Sequence, residues 1–223
     1  MTTLIPNGKL IAVNFPAGAG GKMIQNCIGL SKHCALVHKE EAEWQLSYYG
    51  MFEDDYYQTK LKYILTSLPK VIDKDWLGYE FRAQSLFGMD HSGFIAKNRV
   101  EDIVYQLADK DIWVTATAHN YDYVNKRLTP YWSTIRYVDI VNNEQFARKW
   151  LPIKNGNLLY EKDWNTSGRT PKDKCFEFDL DSCIYDTTAF VKQIGFLYNY
   201  LEFDDFKPDY LTEYHKRYIA LHQ

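Results

Sequence analysis

At 223 residues and 46% apolar content the chain is long enough to bury one substantial core, and its formal charge of −3, without any long basic run, gives no reason to expect a nucleic-acid or anionic-membrane partner. Four cysteines (Cys27, Cys34, Cys175, Cys183) show neither C-x-x-C spacing nor paired histidines, which predicts reduced thiols and no zinc site. No apolar leader and no membrane-length segment is visible, so the expectation is one soluble, cytoplasmic domain over residues 1–223.

Strand and helix patterns alternate along the chain. An apolar run at 10–15 reads as a strand, a glycine-rich turn follows, and 23–30 reads as a helix. A second strand is predicted at 34–38, then an acidic patch (Glu40, Glu41, Glu43) and a helix over about 54–67. Residues 69–93 have no clean period and read as loop-rich; 100–108 have helical spacing. The run 112–118 (I-W-V-T-A-T-A) is strand-like, ends at His119 and precedes a helical piece near 121–127. Residues 135–141 (I-R-Y-V-D-I-V) form a further strand, with a helix from about 144. A polar loop covers 155–174, and helices return at about 187–201 and 208–221. This alternation favours an α/β fold, a parallel sheet flanked by helices on both faces, in which ligands sit beyond the carboxyl ends of the strands.

The turn between the first strand and helix is Pro16-Ala17-Gly18-Ala19-Gly20-Gly21-Lys22-Met23. Glycines let backbone N–H groups approach an anion, the helix start adds its positive end, and Lys22 adds a mobile charge. The stretch is nearly a Walker A loop, G-x-x-x-x-G-K-[ST], with Pro16 at the first glycine and Met23 at the hydroxyl. That hydroxyl normally holds Mg²⁺ beside the phosphates, and a thioether cannot, so the expectation is a nucleotide handled without metal. His119, directly after a strand and flanked by small residues, is the candidate general base. Arg148, one to two turns into the helix after 135–141, and Arg169 in the S-G-R-T-P loop are candidates to reach a second anionic group. Asp139 is a weak match to a Walker B aspartate, because two apolar residues follow it.

On these residues the chain resembles the sulfotransferases, which use 3′-phosphoadenosine 5′-phosphosulfate on a P-loop, three-layer α/β fold. The turn 16–23 is similar to their 5′-phosphosulfate loop, P-K-S-G-T-T. Thr117-Ala118-His119 resembles their K-T-H strand tip, and residues 135–144 resemble the strand I-Y-V-x-R-N-P-x-D. The chain departs from the pattern with Thr117 in place of the lysine, and with Val141-Asn142-Asn143 where the 3′-phosphate arginine is expected. The resemblance implies in-line sulfuryl transfer to a hydroxyl or amine of a small-molecule or glycan acceptor. His119 would act as base and Lys22 would stabilise the leaving bisphosphate, with the acceptor against residues 69–93 near Trp76, Tyr79 and Phe81. Two other readings stay open: a nucleoside or nucleotide kinase, and a degenerate, non-catalytic nucleotide-binding protein.

Overall fold

The computed structural model of the chain describes residues 9–15, 19–40, 43–47, 56–67, 113–118, 121–129, 132–146, 153–154, 157–158 and 169–220. The sheet comprises β1 (Lys9–Asn14), β2 (Cys34–Glu40), β3 (Glu43–Ser47), β4 (Trp113–Ala118) and β5 (Thr134–Val141). A short hairpin, β6 (Ile153–Lys154) with β7 (Asn157–Leu158), stands apart from it, and β8 (Cys175–Asp179) closes its far edge. The order is β3-β2-β4-β1-β5-β8, with every pairing parallel except β2 with β3. The helices are α1 (Gly21–Gly29), α2 (Tyr56–Ser67), α3 (Tyr121–Leu128), α4 (Thr187–Tyr200) and α5 (Pro208–Ala220).

β1 is central because it is apolar on both sides. Leu10 through Val13 are all fully buried, the unbroken apolar pattern of a parallel strand covered on both faces. Ile11 and Val13 face α1, whose Gln25 reaches Thr115 on β4, and the same core takes in Val138, Phe178, Phe190 and Tyr198 from β5, β8 and α4. On the opposite face, Ala12 pairs in register with Tyr137, and the Tyr137 ring meets Tyr121 of α3 edge-on at 5.1 Å. The helix following β1 and the helix following β4 therefore lie on opposite faces of two adjacent strands. That arrangement is a topological switch point, where parallel α/β sheets leave a crevice.

The sequence misjudged several boundaries. Phe15 leaves β1, and α1 begins at Gly21, two residues early, because Gly20 turns the chain in the left-handed region (φ 70°). Two glutamates of the acidic patch belong to antiparallel strands: Glu40 pairs with Glu43 across β2 and β3. The polar loop hides β7 and a 3₁₀ turn at Lys172–Lys174, and β6 lies just before it. β8 was not expected at all, although C-F-E-F-D alternates; its Phe176 and Phe178 face α4 while Glu177 lies opposite Asp139. The expected loop at 69–93 and helix at 100–108 fall outside the described residues. No helix among the described residues is long and apolar enough to cross a membrane.

The C-terminal helices close the core through buried polar groups. Tyr57 of α2 donates its hydroxyl to that of Tyr198 (3.1 Å), which in turn donates to the Cys27 carbonyl (2.8 Å). His215 of α5 is buried against the Phe190 ring (4.2 Å), with Nε2 2.9 Å from the Ile184 carbonyl and Nδ1 3.1 Å from the Thr187 hydroxyl. A carbonyl can only accept, so Nε2 carries the proton and Nδ1 accepts from Thr187: a neutral imidazole. Burial accordingly holds its pKa below the ordinary histidine value of 6.5. The unfolded chain then binds a proton that the folded chain refuses, and stability falls as pH drops below about 6.5. In urea unfolding at pH 7.5 and 5.5, His215→Phe is expected to show a smaller loss at the lower pH than the wild type; equal losses would place the acid sensitivity elsewhere.

Candidate anion-binding site

The carboxyl edge of the sheet at β1 and β4 is built from local sequence. Phe15 folds back so that its ring covers the start of α1, where an added Cβ on Gly21 would lie 2.2 Å from the ring. Gly20 supplies the left-handed turn and the first acceptor: the N–H groups of Met23 (2.9 Å) and Ile24 (3.3 Å) both close on its carbonyl. The N–H groups of Gly21 and Lys22 precede those bonds and are the pair that an anion can take.

Among the described residues the helix start also lacks the usual substitute for an anion: no side chain caps α1, and its first turn holds no acid. The helical turn after β5 differs, since Asp181 accepts from the N–H groups of Gln145 (2.9 Å) and Phe146 (3.1 Å). α4 is capped by Asp186, which accepts from Thr188 and Ala189. Both of those positive ends are already compensated by carboxylates.

Met23 packs fully buried in the core, so the position where a Walker loop carries its metal-binding hydroxyl is turned inward. Ala19 is buried in the same core. Asp139 does not stand free as a magnesium ligand. Its Oδ1 accepts from the Asn14 amide (3.0 Å) and the Thr170 hydroxyl (2.7 Å), and its Oδ2 from the Thr170 N–H (2.8 Å). Burial raises the pKa of that carboxyl, opposed by these hydrogen bonds and by Arg169 nearby.

Arg169, expected as a phosphate clamp on a loose loop, sits next to this buried cluster and 3.9 Å from Glu177, which Lys172 also approaches (3.8 Å). Its charge is thus already opposed by carboxylates. Lys22 is the second residue of α1; its side chain, and Pro16, Ala17, Gly18, His119 and Arg148, lie outside what is described. Asn14, the last residue of β1, pairs with Ala118, the last of β4.

Asn14 and Thr170 were missed in the sequence. A polar residue closing an otherwise apolar buried strand was the one available signal for Asn14. His33, Asp204 and Asp205 bring ligand atoms within 4.8 Å of one another, but at the other edge of the sheet, where the His33 carbonyl accepts from the first residue of β4. There Asp205 takes Ser31 and the Lys32 N–H, and Asp204 takes His33 (2.7 Å) and Lys32 (2.9 Å); these bonds pull the Asp204 carboxyl down to about 2. Those partners give the cluster a structural explanation as a clamp between the turn before β2 and the turn after α4.

The chain matches no protein-family model, no curated protein and no solved structure.

Proposed function

We propose that the start of α1 binds a phosphate group of a nucleotide, and that the chain is a sulfotransferase-like enzyme moving a sulfuryl group from 3′-phosphoadenosine 5′-phosphosulfate to a hydroxyl or amine acceptor without magnesium. The observation that carries this reading is the uncapped, acid-free helix start behind the Gly20 turn, at a switch point between β1 and β4. Two features favour it over a kinase: Met23 points into the core, and both oxygens of Asp139 are engaged by Asn14 and Thr170. In this reading His119, next in sequence to the residue paired with Asn14, takes the proton of the acceptor. The N–H groups of Gly21 and Lys22, with the lysine charge, stabilise the bridging oxygen as the bisphosphate leaves.

Calorimetric titration with adenosine 3′,5′-bisphosphate, and separately with ATP, each with and without magnesium, tests it. The expected result is magnesium-independent bisphosphate binding that Lys22→Ala weakens roughly ten- to hundredfold, the range of one charge-assisted contact. Magnesium-dependent ATP binding would favour the kinase instead, and no binding of either would leave a non-catalytic fold.

A further inference from the structure

The cluster of Asn14, Asp139 and Thr170 joins three distant parts of the chain inside the protein. The three residues are 0%, 1% and 4% exposed. Besides the three bonds to Asp139, the Asn14 amide donates to the Thr170 hydroxyl (2.9 Å), so four hydrogen bonds tie β1, β5 and the segment before the 3₁₀ turn. Asn14 and Asp139 are register partners on the face opposite α1, and Thr170 crosses that face above them.

Stability alone is a poor reason for such a cluster. Asn14 Oδ1 is buried without a hydrogen-bond partner among the described residues, and a partly satisfied buried network is worse for stability than an apolar patch. Its position suggests another use. Asn14 is the last residue of β1, directly before Phe15, whose ring in turn covers Gly21 at the start of α1.

We propose that Asp139 and Thr170 are positioning residues: by holding Asn14 they fix the point at which the chain leaves β1, and through Phe15 they set the α1 start for its anion. Neither residue touches the ligand. An anion site made of backbone N–H groups depends on such fixed geometry, since a displacement of about 1 Å loses most of the benefit. The ligand side of this inference rests on the function proposed above; the ordering of the turn does not.

The test compares the wild type with Thr170→Val, which removes the hydroxyl, and with Thr170→Ser, which keeps it. Asp139→Asn serves as a second disruption should the valine variant fail to fold. Amide exchange is followed in a peptide spanning 15–24 against a reference peptide spanning 209–219, and bisphosphate affinity is measured by calorimetry. Thr170→Val is expected to speed exchange in 15–24 about tenfold with the reference unchanged, and to weaken the bisphosphate about tenfold, while Thr170→Ser stays near wild type. Exchange that stays at the wild-type rate, or rises equally in both peptides, overturns the positioning role. Faster exchange with unchanged affinity overturns its ligand side. Absence of bisphosphate binding in the wild type sinks the proposed function, yet the exchange ratio still decides whether these residues order the turn.

Discussion

Gly21→Ala is expected to destabilise the protein by roughly 3 kcal/mol, at the upper end of ordinary overpacking. An ideal Cβ at this position lies 2.2 Å from Cδ1 and Cε1 of Phe15 and 2.5 Å from Cγ, so the contact falls on a ring edge and not on a flexible tip. The ring has little room to retreat: Phe15 is 7% exposed and belongs to the main core. Gly20→Ala should act differently and more mildly. Its Cβ would meet Leu180 at 3.1 Å and Phe146 at 3.2 Å, and most of its cost, about 1 kcal/mol, comes from a left-handed φ. Urea unfolding in a double-mutant cycle separates the causes. If the Phe15 ring is what forbids a side chain, Gly21→Ala costs little in a Phe15→Ala background; the same cost in both backgrounds would refute the steric account. The outcome bears on function too. A glycine that Phe15 requires at 21 is not by itself a sign of a ligand, which is why the uncapped helix start carries the functional argument.

How much of this was readable in the sequence depends on whether the cause was local. The strand, turn and helix at 9–29 declared themselves because a buried apolar run must end where glycines and a polar helix face begin. Their boundary slipped because Phe15 is as apolar as the strand before it, yet leaves the strand to cover Gly21. Met23 was legible as a lost metal ligand, and the inward direction of its side chain follows from a helix packed against the sheet. β3 was hidden by Glu43 and the glutamates just before it, a charged start that suits an edge strand. β8 was hidden by its brevity and by the polar loop before it. The cluster at Asn14, Asp139 and Thr170 had no sequence signature: Asn14 and Thr170 are 156 residues apart, and only the pairing of β1 with β5 and of β5 with β8 brings them together. Asp139 is the instructive case. From sequence it was a poor candidate for holding metal, and in the structure it is a hydrogen-bond hub whose acceptors are engaged inside the fold.

A comparable effect is expected from Lys60→Met, with a pH dependence that identifies its cause. Lys60 of α2 is fully buried, and its Nζ donates to the Ser31 carbonyl just beyond α1 and to the Cys34 carbonyl at the start of β2 (2.7 Å). Methionine fills a similar volume but removes both bonds: the Cys34 carbonyl loses this donor, at about 1–3 kcal/mol for a buried orphan, while the Ser31 carbonyl keeps only the Cys34 N–H (3.2 Å). Against this, the wild type keeps a charge out of water. Burial lowers the Lys60 pKa from 10.5 to about 8, more than the neighbouring Cys34 and Asp205 raise it. Between those two values the unfolded chain holds a proton that the folded chain has released, so folding gains stability as pH rises through the window, by about 3 kcal/mol at most. Cys34, whose thiol burial pushes up to about 12, has the opposite dependence above pH 9, but both proteins carry it and its contribution largely cancels in the difference. Unfolding free energies at pH 7, 8, 9 and 10 should therefore show a gap of roughly 1–2 kcal/mol in favour of wild type at pH 7 that widens steadily toward pH 10. A gap that stays constant would mean that Lys60 titrates like an exposed lysine and acts through its hydrogen bonds alone. A narrowing gap would mean that the ammonium is stabilised where it lies, and that the junction of α1, β2 and α2 is built to hold a charge.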